Sequence, residues 1–121
     1  MSYPTILPRS ARVLEEVSRE RARQDEKWGE QNHPDGTLDD RHLLGRAHLP
    51  RWSTIRRDAQ RRVDTLAELG RVEYIDILLE EVAEAFAESD PARLRAELIQ
   101  VAAVAVQWVE AIDRRRAGKT A

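Results

Sequence analysis

The chain has 121 residues, a hydrophobic fraction of 41%, a charged fraction of 35% and a formal net charge of −2. This length suits one domain with a small core, and the near-neutral charge gives no general attraction to nucleic acid or anionic membrane. Because cysteine is absent, disulfides, thiolate catalysis and cysteine zinc sites are excluded. The N-terminal apolar run is too short for a signal peptide, and no segment approaches the ~20 apolar residues of a membrane span. We therefore expect a cytoplasmic protein.

The N-terminal part of the chain is predicted to be an extended arm followed by a helix. Two early prolines favour the arm over residues 1–9, and Ser10 is the predicted N-cap of a first helix over about residues 11–28. The inner face of this helix is apolar at first and then polar: Val13, Leu14 and Val17, then Glu20, Arg21, Gln24 and Trp28. Either the end of the helix leaves the core, or its polar half faces a ligand cavity.

The segment GEQNHPDGT, residues 29–37, follows this helix and contains a Pro-Asp-Gly turn. Trp28 offers a surface for stacking, while Asn32 and His33 offer hydrogen-bonding groups. An exposed loop with these residues is more often only a loop. The segment by itself therefore leaves both interpretations open.

A short helical piece is predicted over residues 38–52, with a break at Pro50. Ser53 is the predicted N-cap of a second helix over residues 54–69, and Gly70 is a suitable residue to follow its end. The inner stripe of this helix consists of Ile55, Ala59, Val63 (or Arg62), Leu66 and Leu69. Its other face carries Arg56, Arg57, Arg61 and Arg62. We interpret these arginines as a solvated basic face, with phosphate binding as the second interpretation.

A third helix is predicted over about residues 72–88, and its two sides differ in character. Its predicted core face is an apolar stripe at helical spacing, Ile75, Leu79, Val82 and Phe86. The far side gathers Glu80, Glu81 and Glu84, which repel one another by roughly a few tenths of a kcal/mol per pair. A structural helix normally intersperses basic residues there, whereas this one has none between Val72 and Ala92.

A fourth helix is predicted over about residues 92–115. Asp90 is its predicted N-cap, and Pro91 occupies the first helical position. The basic and then polar residues 114–121 are predicted to be a flexible tail.

The middle of the fourth helix is almost entirely apolar. From Leu98 to Val109 only Gln100 and Gln107 are polar, and a chain of 121 residues offers little protein to cover such a helix. We therefore expect a partner subunit to bury part of it. Glu97 lies at the edge of this apolar run. A buried lone carboxylate is costly, so it requires a cation or strong hydrogen-bond donors.

These positions predict a metal site between the last two helices. Glu81 and Glu84 lie one turn apart on the third helix, and Glu97 and Gln100 lie one turn apart on the fourth. A short turn between antiparallel helices allows the two pairs to face each other. Four oxygen-bearing side chains suit Mg²⁺ or Mn²⁺, and the absence of histidine patterns on these helices argues against zinc. The alternative is a solvated acidic rim.

Two stretches resemble a known family. An EExxE pattern appears as Glu80-Glu81-Val82-Ala83-Glu84, and an ExxD-like pattern appears as Glu97-Leu98-Ile99-Gln100. The segment ERARQDEKWGEQNHPDG, residues 20–36, is similar to one in short phage and actinobacterial MazG-like proteins. The chain thus resembles the MazG-like members of the all-α NTP pyrophosphatase superfamily.

The resemblance implies an all-α bundle of four to five helices, completed by assembly into a homodimer or homotetramer. It also implies Mg²⁺-dependent hydrolysis of a nucleoside triphosphate, or its deoxy form, to the monophosphate and pyrophosphate. By position, Glu81, Glu84 and Glu97 would be metal ligands, and Glu80 a further ligand or a group that orients water. Glu80 or Glu84 would accept the proton of the attacking water.

The resemblance also indicates which residues would contact the substrate. The candidate substrate-binding residues are Arg21, Gln24, Lys27, Trp28, Asn32, His33 and Arg95. Arg21, Lys27 and Arg95 would hold phosphate oxygens. Trp28 would stack on the base or, equally, close the first helix as a hydrophobic plug. Asn32 or His33 would read the edge of the base.

One departure from the family pattern leaves the function open. Gln100 occupies the position of the aspartate, which removes a negative charge and implies weaker metal binding, a changed substrate or lost activity. It favours a second hypothesis, a non-catalytic protein that binds a nucleotide or alarmone. A third hypothesis is a structural helical oligomer whose acidic residues are merely solvated.

Overall fold

The computed structural model describes residues 6–37 and 51–120, with side chains to residue 118. Within them the chain is all-helical and forms no strand, which confirms the predicted all-α class. The helices are α1 (Pro8–Trp28), α2 (Trp52–Glu68), α3 (Tyr74–Phe86) and α4 (Pro91–Thr120). The start of the predicted arm and nearly all of the helical piece predicted around Pro50 lie outside the described residues.

Helix α1 begins earlier than predicted. Pro8 occupies the first helical turn and Leu7 the N-cap position, because the fixed φ of proline is already suited to a helix. Ser10 therefore lies inside the helix and is not its cap. Its hydroxyl instead donates a hydrogen bond of 2.6 Å to Glu110. The predicted end at Trp28 is confirmed, and Gly29 follows with a φ of 68°.

Helix α2 also begins earlier, at Trp52, so the prediction that Ser53 caps it is wrong. The Trp52 ring meets Phe86 of α3 edge-to-face, with ring centroids 4.7 Å apart. This contact packs the start of α2 against the end of α3, so tertiary packing and not a side-chain cap defines the first turn. Gly70 follows the helix with a φ of 67°, as its predicted position after the helix end requires.

Local side-chain hydrogen bonds set the start of α3 and of α4. Glu73 and Asp76 form a reciprocal capping box, which moves the start of α3 from the predicted residue 72 to Tyr74. Asp90 accepts a hydrogen bond of 3.0 Å from the backbone N–H of Arg93, which confirms it as the N-cap of α4.

The predicted end of α4 near Arg115 is wrong, because the helix continues to Thr120. Alanine and arginine favour helical backbone, and positive charge is stabilised at a helix C-terminus. The tail predicted for residues 114–121 is thus helical as far as it is described.

The chain divides into two compact units. The first contains Met1–Pro34 and Ala105–Ala121, so it includes α1 and the last part of α4. In this unit Glu110 is 8% exposed and also lies 3.7 Å from Arg9. The second contains Asp35–Val104, which includes α2, α3 and the first part of α4. None of the helices in the described ranges combines the length and apolar character that a membrane crossing requires.

The core of the second unit consists mainly of small side chains. The buried apolar residues here are Ala59, Ala83, Ala85, Ala87, Leu94 and Val104. The stripe predicted as the core face of α3 is largely exposed, at 62% for Ile75, 43% for Leu79 and 38% for Phe86. The prediction is wrong for these three residues, whereas Val82 is half-buried and Ala85, which flanks the predicted stripe, is buried. Helix α3 presents its alanines to the core, and these small side chains allow close helix approach. The acidic side of α3 is consequently half-buried.

Candidate metal centre

Three carboxylates converge between α3 and the first part of α4. Glu81 and Glu84 share one side of α3 because they are one turn apart, and Glu97 approaches them from α4. One oxygen of each lies within 4.8 Å of the others, and all three side chains are half-buried. We call these three residues the carboxylate cluster.

The dimensions and chemistry of the cluster fit a hard divalent cation. Oxygens on opposite sides of an octahedral Mg²⁺ lie about 4.2 Å apart, since each Mg–O distance is about 2.1 Å. The three oxygens lie within 4.8 Å of one another, so the side chains would close inward around an ion. Carboxylate oxygens suit Mg²⁺ or Mn²⁺. The three carboxylates could therefore hold a metal ion.

Proximity and burial make the negative charges of the cluster unfavourable. Burial raises the pKa of Glu81 above its ordinary value, and the charge of Glu84 raises it further. Burial also raises the pKa of Glu97, again with Glu84 as the next cause. A bound cation would remove this penalty, because it stabilises the ionised form of each carboxyl group.

Glu80 lies beside the cluster, and its pKa is raised by the same two largest causes as the pKa of Glu81. Burial, followed by the charges of Glu84, Glu81 and Asp64, raises the pKa of Glu80 to about 7. Glu80 does not belong to the group of three whose oxygens meet within 4.8 Å. Its predicted role as a ligand or water-orienting residue stays a prediction.

Helix α2 supplies polar groups that the sequence interpretation missed. The amide of Gln60 donates a hydrogen bond of 3.3 Å to Oε1 of Glu84. One turn before it, the charge of Arg56 opposes the rise in the pKa of Glu97. One turn after it, Asp64 contributes to the raised pKa of Glu80. We call Arg56, Gln60 and Asp64 the polar row of α2.

A signal for the polar row was present in the sequence. Its three residues recur at intervals of four, directly beside the apolar stripe of the same helix. The four arginines of α2 that were predicted to be solvated are all exposed, and two of them also act on acidic groups. Arg62 donates a hydrogen bond of 2.8 Å to the buried Asp76, while Arg56 acts on Glu97.

Two predicted site residues on α4 are exposed. Gln100 lies one turn beyond Glu97, and its side chain is accessible to solvent. Arg95 is also exposed. Their predicted roles as metal ligand and phosphate contact stay predictions.

The candidate substrate residues of α1 belong to the first unit, where several line one cavity. This cavity has a volume of about 350 Å³ and is lined by Arg21, Gln24, Asp25, Trp28, Gly29 and Gln31. Trp28 is 56% exposed and is therefore not a buried plug. The Lys27 ammonium lies 4.8 Å from the centre of its ring.

The polar groups around this cavity are engaged locally. Arg21 donates hydrogen bonds of 2.7 Å to Gln24 and 2.8 Å to Asp25. Just beyond α1, Asn32 donates to Glu30 and His33 contacts Gln31, at 3.2 and 3.1 Å. The structure thus places Arg21, Gln24 and Trp28 around one cavity, and Asp25 and Gln31 join them although sequence reasoning did not select either.

Comparisons with protein-family models, with curated proteins and with solved structures find no match for this chain. We therefore base its function on the chemistry of its own residues. Within the second unit, the carboxylate cluster and the polar row of α2 combine a cation-binding donor set with an adjacent positive charge.

Proposed function

We propose that the protein is a Mg²⁺-dependent nucleoside triphosphate pyrophosphohydrolase of the cytoplasm. It would convert an NTP or dNTP to the monophosphate and pyrophosphate. The observation that carries this proposal is the approach of three half-buried carboxylates within 4.8 Å. The MazG-like EExxE and ExxD-like patterns supply the reaction class, because three of their residues, Glu81, Glu84 and Glu97, form the cluster.

The residues would divide the chemistry among them. Glu81, Glu84 and Glu97 would hold the ion. A divalent ion in such a site neutralises phosphate charge and lowers the pKa of a coordinated water. Attack of the water oxygen on the α-phosphorus forms the new P–O bond and breaks the bond to the bridging oxygen, so that pyrophosphate leaves.

Glu80 is the preferred acceptor for the proton of the attacking water. It lies beside the cluster without belonging to it, so it can accept a proton without leaving a metal ion. Glu84 is the alternative acceptor, although it would also be occupied as a ligand. If Glu80 accepts the proton, all three carboxylates of the cluster can remain metal ligands during the reaction.

Release of pyrophosphate from a panel of NTPs and dNTPs, with Mg²⁺ and with Mn²⁺, tests this proposal. We expect turnover of at least one nucleotide by the wild type and none by Glu84→Gln. Glu68→Gln is the matched control, because this exposed glutamate of α2 lies outside the cluster. Absence of turnover throughout the panel, together with unchanged Mn²⁺ binding by Glu84→Gln, would refute the proposal.

A non-catalytic nucleotide- or alarmone-binding protein is the second candidate, and Gln100 favours it. An amide at this position supplies no negative charge and cannot act as a base. We expect Gln100→Asp to bind Mn²⁺ more tightly and to raise any pyrophosphatase activity. If the wild type binds nucleotides without cleaving them and Gln100→Asp begins to cleave, the natural protein is the binding type.

Self-association into a homodimer or homotetramer forms part of the proposal. The apolar stripe of α3 is largely exposed, and on α4 Leu98 is 47% and Ile99 56% exposed. Exposed apolar side chains at helical spacing are typical of surfaces that associate. A second copy of the chain would cover them. A purely structural helical oligomer would share this feature but would not be stabilised by millimolar Mg²⁺.

A further inference from the structure

We propose that Arg56 holds an anionic oxygen of a substrate phosphate beside the carboxylate cluster. This inference rests on the proposed function, in that the cluster binds a divalent cation. It selects Arg56 from the four arginines of α2, for which the sequence left phosphate binding as the second interpretation.

The position of Arg56 follows from the contact that Gln60 makes. The hydrogen bond of 3.3 Å from Gln60 to Glu84 shows which side of α2 faces the cluster. Arg56 precedes Gln60 by four residues and therefore lies on the same side of the helix. Arg56 therefore lies one helical turn from the residue that contacts Glu84 of the cluster.

Arg56 differs from Arg62, an arginine of α2 whose side chain contacts an acidic residue. Arg62 is held by a hydrogen bond of 2.8 Å to Asp76, which is only 4% exposed. In the described part of the chain, Arg56 has no ion pair within 4.0 Å of a carboxylate oxygen. Its side chain is exposed, so an incoming anion can reach the guanidinium.

The chemistry of the polar row indicates where the anion would lie. Guanidinium binds phosphate oxygens with two parallel hydrogen bonds, a geometry that lysine cannot reproduce. Asp64, two turns beyond Arg56, carries the opposite charge and repels an anion. A phosphate group held by the metal ion would consequently be drawn to the Arg56 end of the row.

The experiment titrates inorganic pyrophosphate into the Mn²⁺-loaded full-length protein and follows binding by calorimetry. We expect Arg56→Gln to weaken pyrophosphate binding by about 10- to 100-fold, the loss that a charge-assisted hydrogen bond represents. Arg56→Lys retains the charge but not the planar fork and should give an intermediate loss. Arg61→Gln removes the same charge from another exposed position of α2 and should change binding by no more than about twofold.

The affinity for Mn²⁺ alone is a second measurement, and it should not fall together with the affinity for pyrophosphate. Removing a positive charge near the cluster should leave Mn²⁺ affinity unchanged or raise it, so Arg56→Gln should lose anion binding without losing the metal. Wild-type pyrophosphate affinity in Arg56→Gln, or an equal loss in Arg61→Gln, would overturn the inference. If the wild type binds no Mn²⁺, the proposed function fails first, and the inference fails with it.

Discussion

Gln60 of α2 donates a hydrogen bond of 3.3 Å to Glu84 of α3, the carboxylate that raises the pKa of each of its three acidic neighbours. The contact joins α2 to the acidic side of α3 at the carboxylate cluster. Helix α2 thus contributes to the site although it supplies no carboxylate to the cluster.

We expect Gln60→Leu to weaken Mn²⁺ binding by about 10-fold, because loss of a hydrogen-bond partner of a metal ligand typically costs 10- to 100-fold in affinity. Calorimetric titration with Mn²⁺ measures the change. Thr65→Leu, an exposed position on the same helix, is the control and should behave as the wild type. Equal affinities in Gln60→Leu and the wild type would show that Glu84 needs no orientation by α2.

The metal-free protein should lose stability as the pH rises from about 4.5 to 7. Glu80 has a pKa of about 7 in the folded protein and an ordinary value of 4.5. The folded state therefore holds this proton more tightly than the unfolded state, and this contribution is lost on deprotonation. The raised pKa values of Glu81 and Glu97 act in the same direction.

Thermal unfolding at several pH values, with and without Mg²⁺, checks this expectation. The melting temperature without metal should fall across this range, and the stabilisation by Mg²⁺ should grow, since protons and metal compete for the carboxylates. Glu80→Gln should reduce the fall. A melting temperature that rises steadily with pH in the absence of metal would contradict the assignment.

Asp76→Asn should destabilise the second unit. Asp76 accepts hydrogen bonds from Arg62 and from the backbone of Glu73. Its carboxylate therefore links α3 to α2 and also caps the start of α3. The Arg62 hydrogen bond is the main cause that lowers the pKa of Asp76. This contribution is present above the ordinary value near 3.8 and is lost as the pH falls below it.

Denaturant unfolding at neutral pH measures the effect, which should appear as a lower transition midpoint for Asp76→Asn. Asp113→Asn, an exposed position of α4, makes the same chemical change without these contacts. If the two variants unfold at the same denaturant concentration, the buried carboxylate does not stabilise the fold.

Leu79→Glu should weaken self-association. Leu79 is 43% exposed in the middle of the apolar stripe of α3, and a charge there would oppose burial against a second copy. Sedimentation velocity should show an oligomer for the wild type and a smaller species for the variant. Thr65→Glu places the same charge on exposed α2 and should leave the oligomer intact. A monomeric wild type at high protein concentration would refute this association.

Several features of the fold could be predicted because they depend on neighbouring residues along the chain. Gly29 and Gly70 adopt positive φ at helix ends, and Asp90 caps α4, as their local chemistry indicates. The approach of Glu81 and Glu84 to Glu97 was also predictable, because a short turn brings equivalent positions of adjacent helices together. Two predicted helix starts were wrong: Pro8 begins α1 before Ser10, and the contact of Trp52 with the distant Phe86 accompanies the early start of α2.

The sequence by itself determined the all-α class, the helix ends that glycine sets, and the set of carboxylates able to meet. It could not decide which side of α3 faces inward, since an apolar stripe and an acidic side both follow the helical period. The tertiary structure decided which side of α3 faces inward. The alanines of α3 pack closely in the core, and Gln60 of α2 donates a hydrogen bond to Glu84 on the acidic side. The physical reason is that burial depends on what packs opposite a side chain, and a single helix does not contain that information.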